Sequence, residues 1–143
     1  MRKLALILLI ITLCSCKKDT IEGIIIGHDF LEAQSFAENQ RLDTIIKKTL
    51  SGDHNSLRRL NHFPCNGGST CYDKGYVITQ IIYKMGEKKF TNLVEKLDRK
   101  EAFGMEGYIA VGLEYGDNDY DGKMDNKQAE IEFPNLINEL KKK

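Results

Sequence analysis

Apolar residues recur through most of this chain at helical intervals. Phe30, Ala33 and Ala37 begin the pattern after Asp29, and Leu42, Ile45, Ile46 and Leu50 continue it at three- and four-residue steps, the spacing of one face of an α-helix. Gly52 is a stop signal. Leu57 and Leu60 define a second, shorter helix that ends at Phe63 and Pro64. Asp73 is placed to cap the next one, whose stripe of Val77, Ile78, Ile81, Ile82 and Met85 is as wide as any in the chain and is broken by Gly86. Phe90, Leu93, Val94 and Leu97 make a further amphipathic helix. Asp98 and Glu101 then have the spacing of a capping box. The helix they open carries Met105, Ile109 and Leu113 among Gly104, Gly107 and Gly112, glycines that weaken a helix or let another approach it closely. Residues 131–133 read as short and extended. Pro134 suits the first turn of a last helix with Leu136, Ile137 and Leu140.

The expected fold is therefore mainly α, with six or so short helices and little or no sheet. Ile24, Ile25 and Ile26, bracketed by Gly23 and Gly27, are a small strand or simple packing. The run Ile45, Ile46, Leu50, Gly52, Leu57, Leu60 echoes Ile81, Ile82, Met85, Gly86, Phe90, Leu93 as helix, glycine turn, helix. That echo suits a short stack of helical hairpins, and its unequal spacing suits a small irregular bundle equally well.

The N-terminus breaks the helical pattern. After Arg2 and Lys3, residues 4–13 are apolar except for Thr12. The run is too short to span a bilayer and has the proportions of a signal peptide. A buried N-terminal helix of a cytosolic domain would show a polar face, and none interrupts the run. The segment closes with Leu13-Cys14-Ser15-Cys16, which resembles the lipobox of bacterial lipoproteins. The resemblance implies cleavage between Ser15 and Cys16 and attachment of diacylglycerol, usually with a third chain, to the Cys16 sulfur. Each buried CH₂ contributes roughly 0.8 kcal/mol, so two or more chains hold firmly. Lys17 stands where the family's inner-membrane retention signal carries aspartate, which points to the outer membrane, facing periplasm or exterior. The expected organisation is a signal peptide over 1–15, a lipidated cysteine and tether over 16–28, and a helical domain over 29–143.

Charge narrows the partners. The chain has 21 basic and 21 acidic residues, and loss of Arg2 and Lys3 with the leader leaves the mature chain slightly acidic. No basic field exists to hold nucleic acid. The lysines at 141–143 read as a solvated helix end that suits the helix dipole. Of the 4 cysteines, Cys14 leaves with the leader and Cys16 takes lipid. Cys65 and Cys71 remain as an even pair in an oxidising compartment, where a disulfide is the natural outcome.

Residues 117–125 hold the sharpest chemical pattern, Asp-Asn-Asp-Tyr-Asp-Gly-Lys-Met-Asp. It resembles the calcium loop of EF-hands and dockerins. The resemblance implies carboxylate ligands from Asp117, Asp119 and Asp121, a sharp turn at Gly122, the Lys123 carbonyl, an apolar contact at Met124 and Asp125 bound directly or through water. Gln128 occupies the last position, where the family carries Glu or Asp, so the implied site is a weak structural one. An ordinary acidic turn is the plainer alternative, since Asp, Asn and Gly favour bends.

Other chemistry is thinner. His54, His62, Cys65 and Cys71 have the ligand types for zinc at a spacing that matches no common finger. A cysteine paired with His28, His54 or His62 would need a free thiol. The remaining carboxylates alternate with lysines as on a solvated face. Tyr72, Tyr76 and Tyr83 flank the cysteine loop as core or as a partner surface. The expected role is a non-enzymatic, lipid-anchored envelope protein that binds a protein partner, of which an immunity protein masking a periplasmic toxin is one specific form. A calcium-stabilised structural lipoprotein is the alternative, and a thiol-dependent enzyme a more distant one.

Overall fold

The computed structural model describes residues 20–143. The leader over 1–15 and Cys16 lie outside the described residues. The fold is mainly α, a small helical bundle with one two-stranded sheet and one disulfide. Among the described residues no helix is long and apolar enough to cross a membrane.

Strands β1 (Thr20–Ile21) and β2 (Ile24–Ile25) form an antiparallel hairpin. Glu22 and Gly23 at its turn both have positive φ, 51° and 80°, the conformation that matches the twist of a tight hairpin. Ile24 and Ile26 are buried, so this segment, assigned on sequence to the tether, is packed into the domain. Helix α1 (His28–Glu32) is short and separate from α2 (Phe36–Leu50). The sequence pattern runs through the break, but Ser35 and Glu38 form a full capping box that starts α2 afresh. Asp53 caps α3 (His54–Asn61) by accepting from the Asn55 amide and the Ser56 hydroxyl.

Helix α4 (Ser69–Met85) is the central element. It begins before Asp73, so Asp73 is not its cap. Its carboxylate instead accepts the Phe30 amide at the start of α1, at 3.2 Å. Gly86, with φ at 85°, ends α4 and leads into α5 (Glu87–Val94). Helix α6 (Arg99–Tyr115) opens with the capping box of Asp98 and Glu101. Residues 129–132 form a short helix, α7 (Ala129–Glu132), where the sequence reads as extended, because the Phe133 amide closes a helical turn onto the Ala129 carbonyl. Pro134 begins α8 (Pro134–Lys141) at its first turn.

Helix α4 packs most extensively against α6. At their crossing Gly75 faces Gly112, and a Cβ on Gly112 would stand 2.2 Å from the Gly75 carbonyl oxygen. One core runs from Ile24 and Phe30 through Leu42, Ile46, Ile78 and Ile82 to Leu113 and Leu136. On another side of α4 the N-terminal hairpin is held by side chains. Gln80, buried, accepts from the Ile25 amide at 2.8 Å and donates to the Ile25 carbonyl at 2.9 Å. It thus supplies the pairing of a third strand. Lys84 donates to the Glu22 carbonyl.

Lys74 is fully buried. Its ammonium donates to the Asn61 carbonyl at 2.6 Å and the Phe63 carbonyl at 2.7 Å, and stands 4.0 Å from the centre of the Tyr108 ring. It therefore closes the C-terminal end of α3 from inside the core. The Cys65–Cys71 disulfide lies just beyond and ties the same loop to the first turn of α4. Burial pushes the Lys74 ammonium down to about 7.

Two outcomes follow from this packing. Gly112→Ala should destabilise the protein by about 1–3 kcal/mol through overpacking at the crossing. Gly107→Ala, where an added Cβ meets nothing within 4 Å, should be neutral or gain about 0.5–1 kcal/mol; urea titration of both variants checks the contrast. For Lys74 the folded pKa, about 7, lies below the unfolded value of about 10.4, so between them the unfolded chain binds more protons. Stability should rise with pH across that window. Lys74→Met should flatten the rise while costing about 1–3 kcal/mol at pH 7, because two buried carbonyls lose their donor; denaturation at pH 7 and pH 9 reads both effects.

Candidate functional site

The acidic loop leaves the C-terminus of α6 and returns to it. A helix end leaves its last carbonyls without intrahelical partners. Here the returning chain supplies donors: the amides of Asp125, Asn126 and Lys127 bond the carbonyls of Gly116, Glu114 and Leu113 at 2.9, 3.1 and 3.0 Å. The loop is thus closed at its base. Its tip is organised by its own carboxylates, as Asx turns require. Asp117 accepts the amides of Asp121 at 2.9 Å and Gly122 at 3.0 Å. Asp121 turns back to the Lys123 amide at 2.9 Å. Tyr120 adopts φ 62°, in the left-handed region.

Asn118 anchors the loop to the helices. Its amide nitrogen donates to the Gly112 carbonyl at 3.0 Å and to Asp125 Oδ2 at 2.7 Å, and its Oδ1 accepts the Thr79 hydroxyl at 2.8 Å. The Tyr76 hydroxyl donates to the Asp117 carbonyl at 2.7 Å. Burial, together with Tyr120 and the charges of Asp117 and Asp125, raises the Tyr76 phenol to about 12.

One carboxylate oxygen from each of Asp117, Asp119 and Asp125 lies within 4.8 Å of the others. The other expected ligands fall elsewhere. Asp121 is engaged with Lys123, both through its amide and at 3.7 Å through its ammonium. Gln128 stands at the start of α7, with its carbonyl accepting from Ile131 and Glu132. Asp125 is the distinctive member. Its side chain is only 1% exposed. Oδ2 accepts the backbone and side-chain nitrogens of Asn118 and faces the Lys127 ammonium at 3.5 Å, while Oδ1 is buried and meets no donor. A buried carboxylate oxygen without a partner is costly.

Beside the loop lies an aromatic pair. Tyr72, one residue after Cys71, stacks on Tyr115 with ring centres 4.8 Å apart. Both remain 44–46% exposed. The loop itself adds Tyr120 and Met124, also exposed. Tyr83, by contrast, leans on Phe133 and donates to Glu132 at 2.7 Å. The sequence places Tyr72, Tyr76 and Tyr83 near the cysteine loop. Tyr115 is not among them, since only the α4–α6 crossing brings it to Tyr72.

The zinc set does not assemble. Cys65 and Cys71 are joined in the disulfide, and His62 bonds Glu101 at 3.0 Å. Glu101 is nearly buried and also accepts Arg58 at 2.9 Å. Burial works to raise its carboxyl, but the Asp98 amide, Arg58 and His62 outweigh that and hold it at about 2. This cluster joins α3 to the start of α6.

Removing the Asn118 side chain should take one bond each from Thr79, the Gly112 carbonyl and Asp125. Asn118→Ala should cost about 2 kcal/mol or more and change the near-ultraviolet circular dichroism of the tyrosines; thermal melts and spectra of the variant check this.

Comparison of the chain with protein-family models, with curated proteins and with solved structures finds no match.

Proposed function

We propose that this chain is a non-enzymatic binding protein, held at the cell envelope by lipid on Cys16, that docks a protein partner through the tyrosine face beside the acidic loop. The observation that carries the docking surface is the exposed Tyr72–Tyr115 stack at the end of α6, where Tyr115 stands two residues before the acidic loop begins at Asp117. Stacked tyrosines offer a large contact area with little side-chain freedom left to lose, and aromatic residues dominate interface energetics. The carboxylates beside them select a partner with a basic contact region. A toxin delivered into the periplasm is the specific partner class, and the chain would neutralise it by occupying it. The outer membrane is the proposed site, facing periplasm or exterior. The thiol-dependent alternative requires a free cysteine in the domain, and Cys65 and Cys71 are bonded to each other.

The anchor and the face are tested separately. Cys16→Ala should move the protein from membrane to soluble fractions; an unprocessed cytosolic precursor would remove the envelope role. For the face, binding is measured by calorimetry between the protein and the product of a toxin gene found beside its own. Tyr115→Ala should lower the affinity about 30-fold or more, as at an interface hot spot, and unaltered affinity would exclude this surface.

A further inference from the structure

We propose that the outer face of α6 is a self-association surface, on which a second copy of this chain lays its own α6 antiparallel, with the two-fold axis at Gly107. The inference is independent of the lipid anchor and of the tyrosine face. Residues 100, 103, 107, 110 and 114 follow one another at steps of three and four, the spacing of a seam between two helices. All five are exposed. Met105, Ile109 and Leu113, on the other side of the helix, are buried in the core.

Two features of this face have no use within one chain. Phe103 is 80% exposed, on a surface that a solitary helix ordinarily fills with polar side chains. Gly107 weakens the helix, yet a Cβ there would meet nothing within 4 Å, so no packing inside the chain requires it. Between Lys100 and Glu114 the seam carries no charge at all.

The seam is complementary to its own reverse. Lys100 and Glu114 stand seven residues before and after Gly107. Turning a second helix end for end about Gly107 therefore sets each ammonium against a carboxylate of the other copy. Phe103 lies four residues before Gly107 and Ala110 three after it, so the large side chain of one copy arrives over the small residues of the other. A groove of about 380 Å³ opens at that place, lined by Ala110, Glu114 and residues 126–130. At the axis the two copies of Gly107 face each other, and the missing Cβ atoms let the backbones come close, as they do between Gly75 and Gly112 inside the chain. A parallel pair would instead set lysine against lysine, phenylalanine against phenylalanine and glutamate against glutamate. The antiparallel pairing uses the same patch on both copies, so assembly closes at a dimer. One helix face is a small interface, and the dimer belongs to the weak, transient class.

The test is sedimentation velocity on the full-length protein in mild detergent, over a concentration series carried to the solubility limit. A monomer–dimer equilibrium is expected. Phe103→Ser should weaken dimerisation about tenfold or more. Gly107→Gln favours the helix but fills the gap at the axis, and should weaken dimerisation to a similar degree with no loss of thermal stability. Lys100→Glu and Glu114→Lys should each weaken it about threefold, and the double variant should return to within about twofold of the wild type. Melts of every variant by circular dichroism separate lost association from lost folding, and if Phe103→Ser fails to fold, the charge pair carries the test. A protein that stays monomeric throughout overturns the proposal. A dimer that all the variants leave unchanged forms through another surface and also overturns it. A double variant no better than the single ones overturns the antiparallel register.

Discussion

The close approach of Gly75 to Gly112 is the constraint on which the rest of the molecule depends. Two helices can come this near only where neither carries a Cβ: one on Gly112 would overlap the Gly75 backbone, and one on Gly75 would overlap the Tyr108 carbonyl. The crossing sets Thr79 against Gly112 and Asn118, Tyr72 against Tyr115, and Lys74 against Tyr108. Loop, aromatic face and buried ammonium thus share one origin. A bundle with a wider crossing would have the same helices and none of these contacts.

Much of the fold was legible because it is written in periodicity. The stripes on α2, α4 and α8, the stop at Gly86, the Asp98–Glu101 box and the proline at the head of α8 are local signals, and each is found where local physics puts it. Two local signals are masked by their neighbours. Ser35 and Glu38 mark a helix start as plainly as Asp98 and Glu101 do, yet Phe30, Ala33 and Ala37 keep a helical phase across the break. The short α7 falls where residues 131–133 read as extended, because a single turn closed by the Phe133 amide on the Ala129 carbonyl, just before Pro134, is too short to show a helical period.

What stayed hidden was long-range. Lys74 looks like a solvated lysine within an apolar stripe, and only the placement of Asn61 and Phe63 shows why it is buried. Glu101 was legible as a cap but not as the partner of Arg58 and His62 on another helix. Among the glycines of α6, Gly112 keeps the phase of Met105 and Ile109 and Gly107 does not, but that Gly112 meets another glycine, Gly75, is set by a helix far away in sequence. In the acidic loop the alternation of carboxylates suggested that all turn inward. The return of the chain onto the end of α6 instead brings Asp125 inward and leaves Asp121 to its own turn.

The clasp of Gln80 on Ile25 has a mechanical consequence. A pull on the chain upstream of Thr20 enters the domain through two short strands, which alone would unzip one bond at a time. Gln80 grips both backbone polar groups of Ile25, and Asp73 and Lys84 grip the chain on either side. The three side chains project from one stripe of α4, so tension is passed sideways into the longest-packed helix. The domain would resist being peeled from its leading end and would yield only when α4 itself is drawn out of the core.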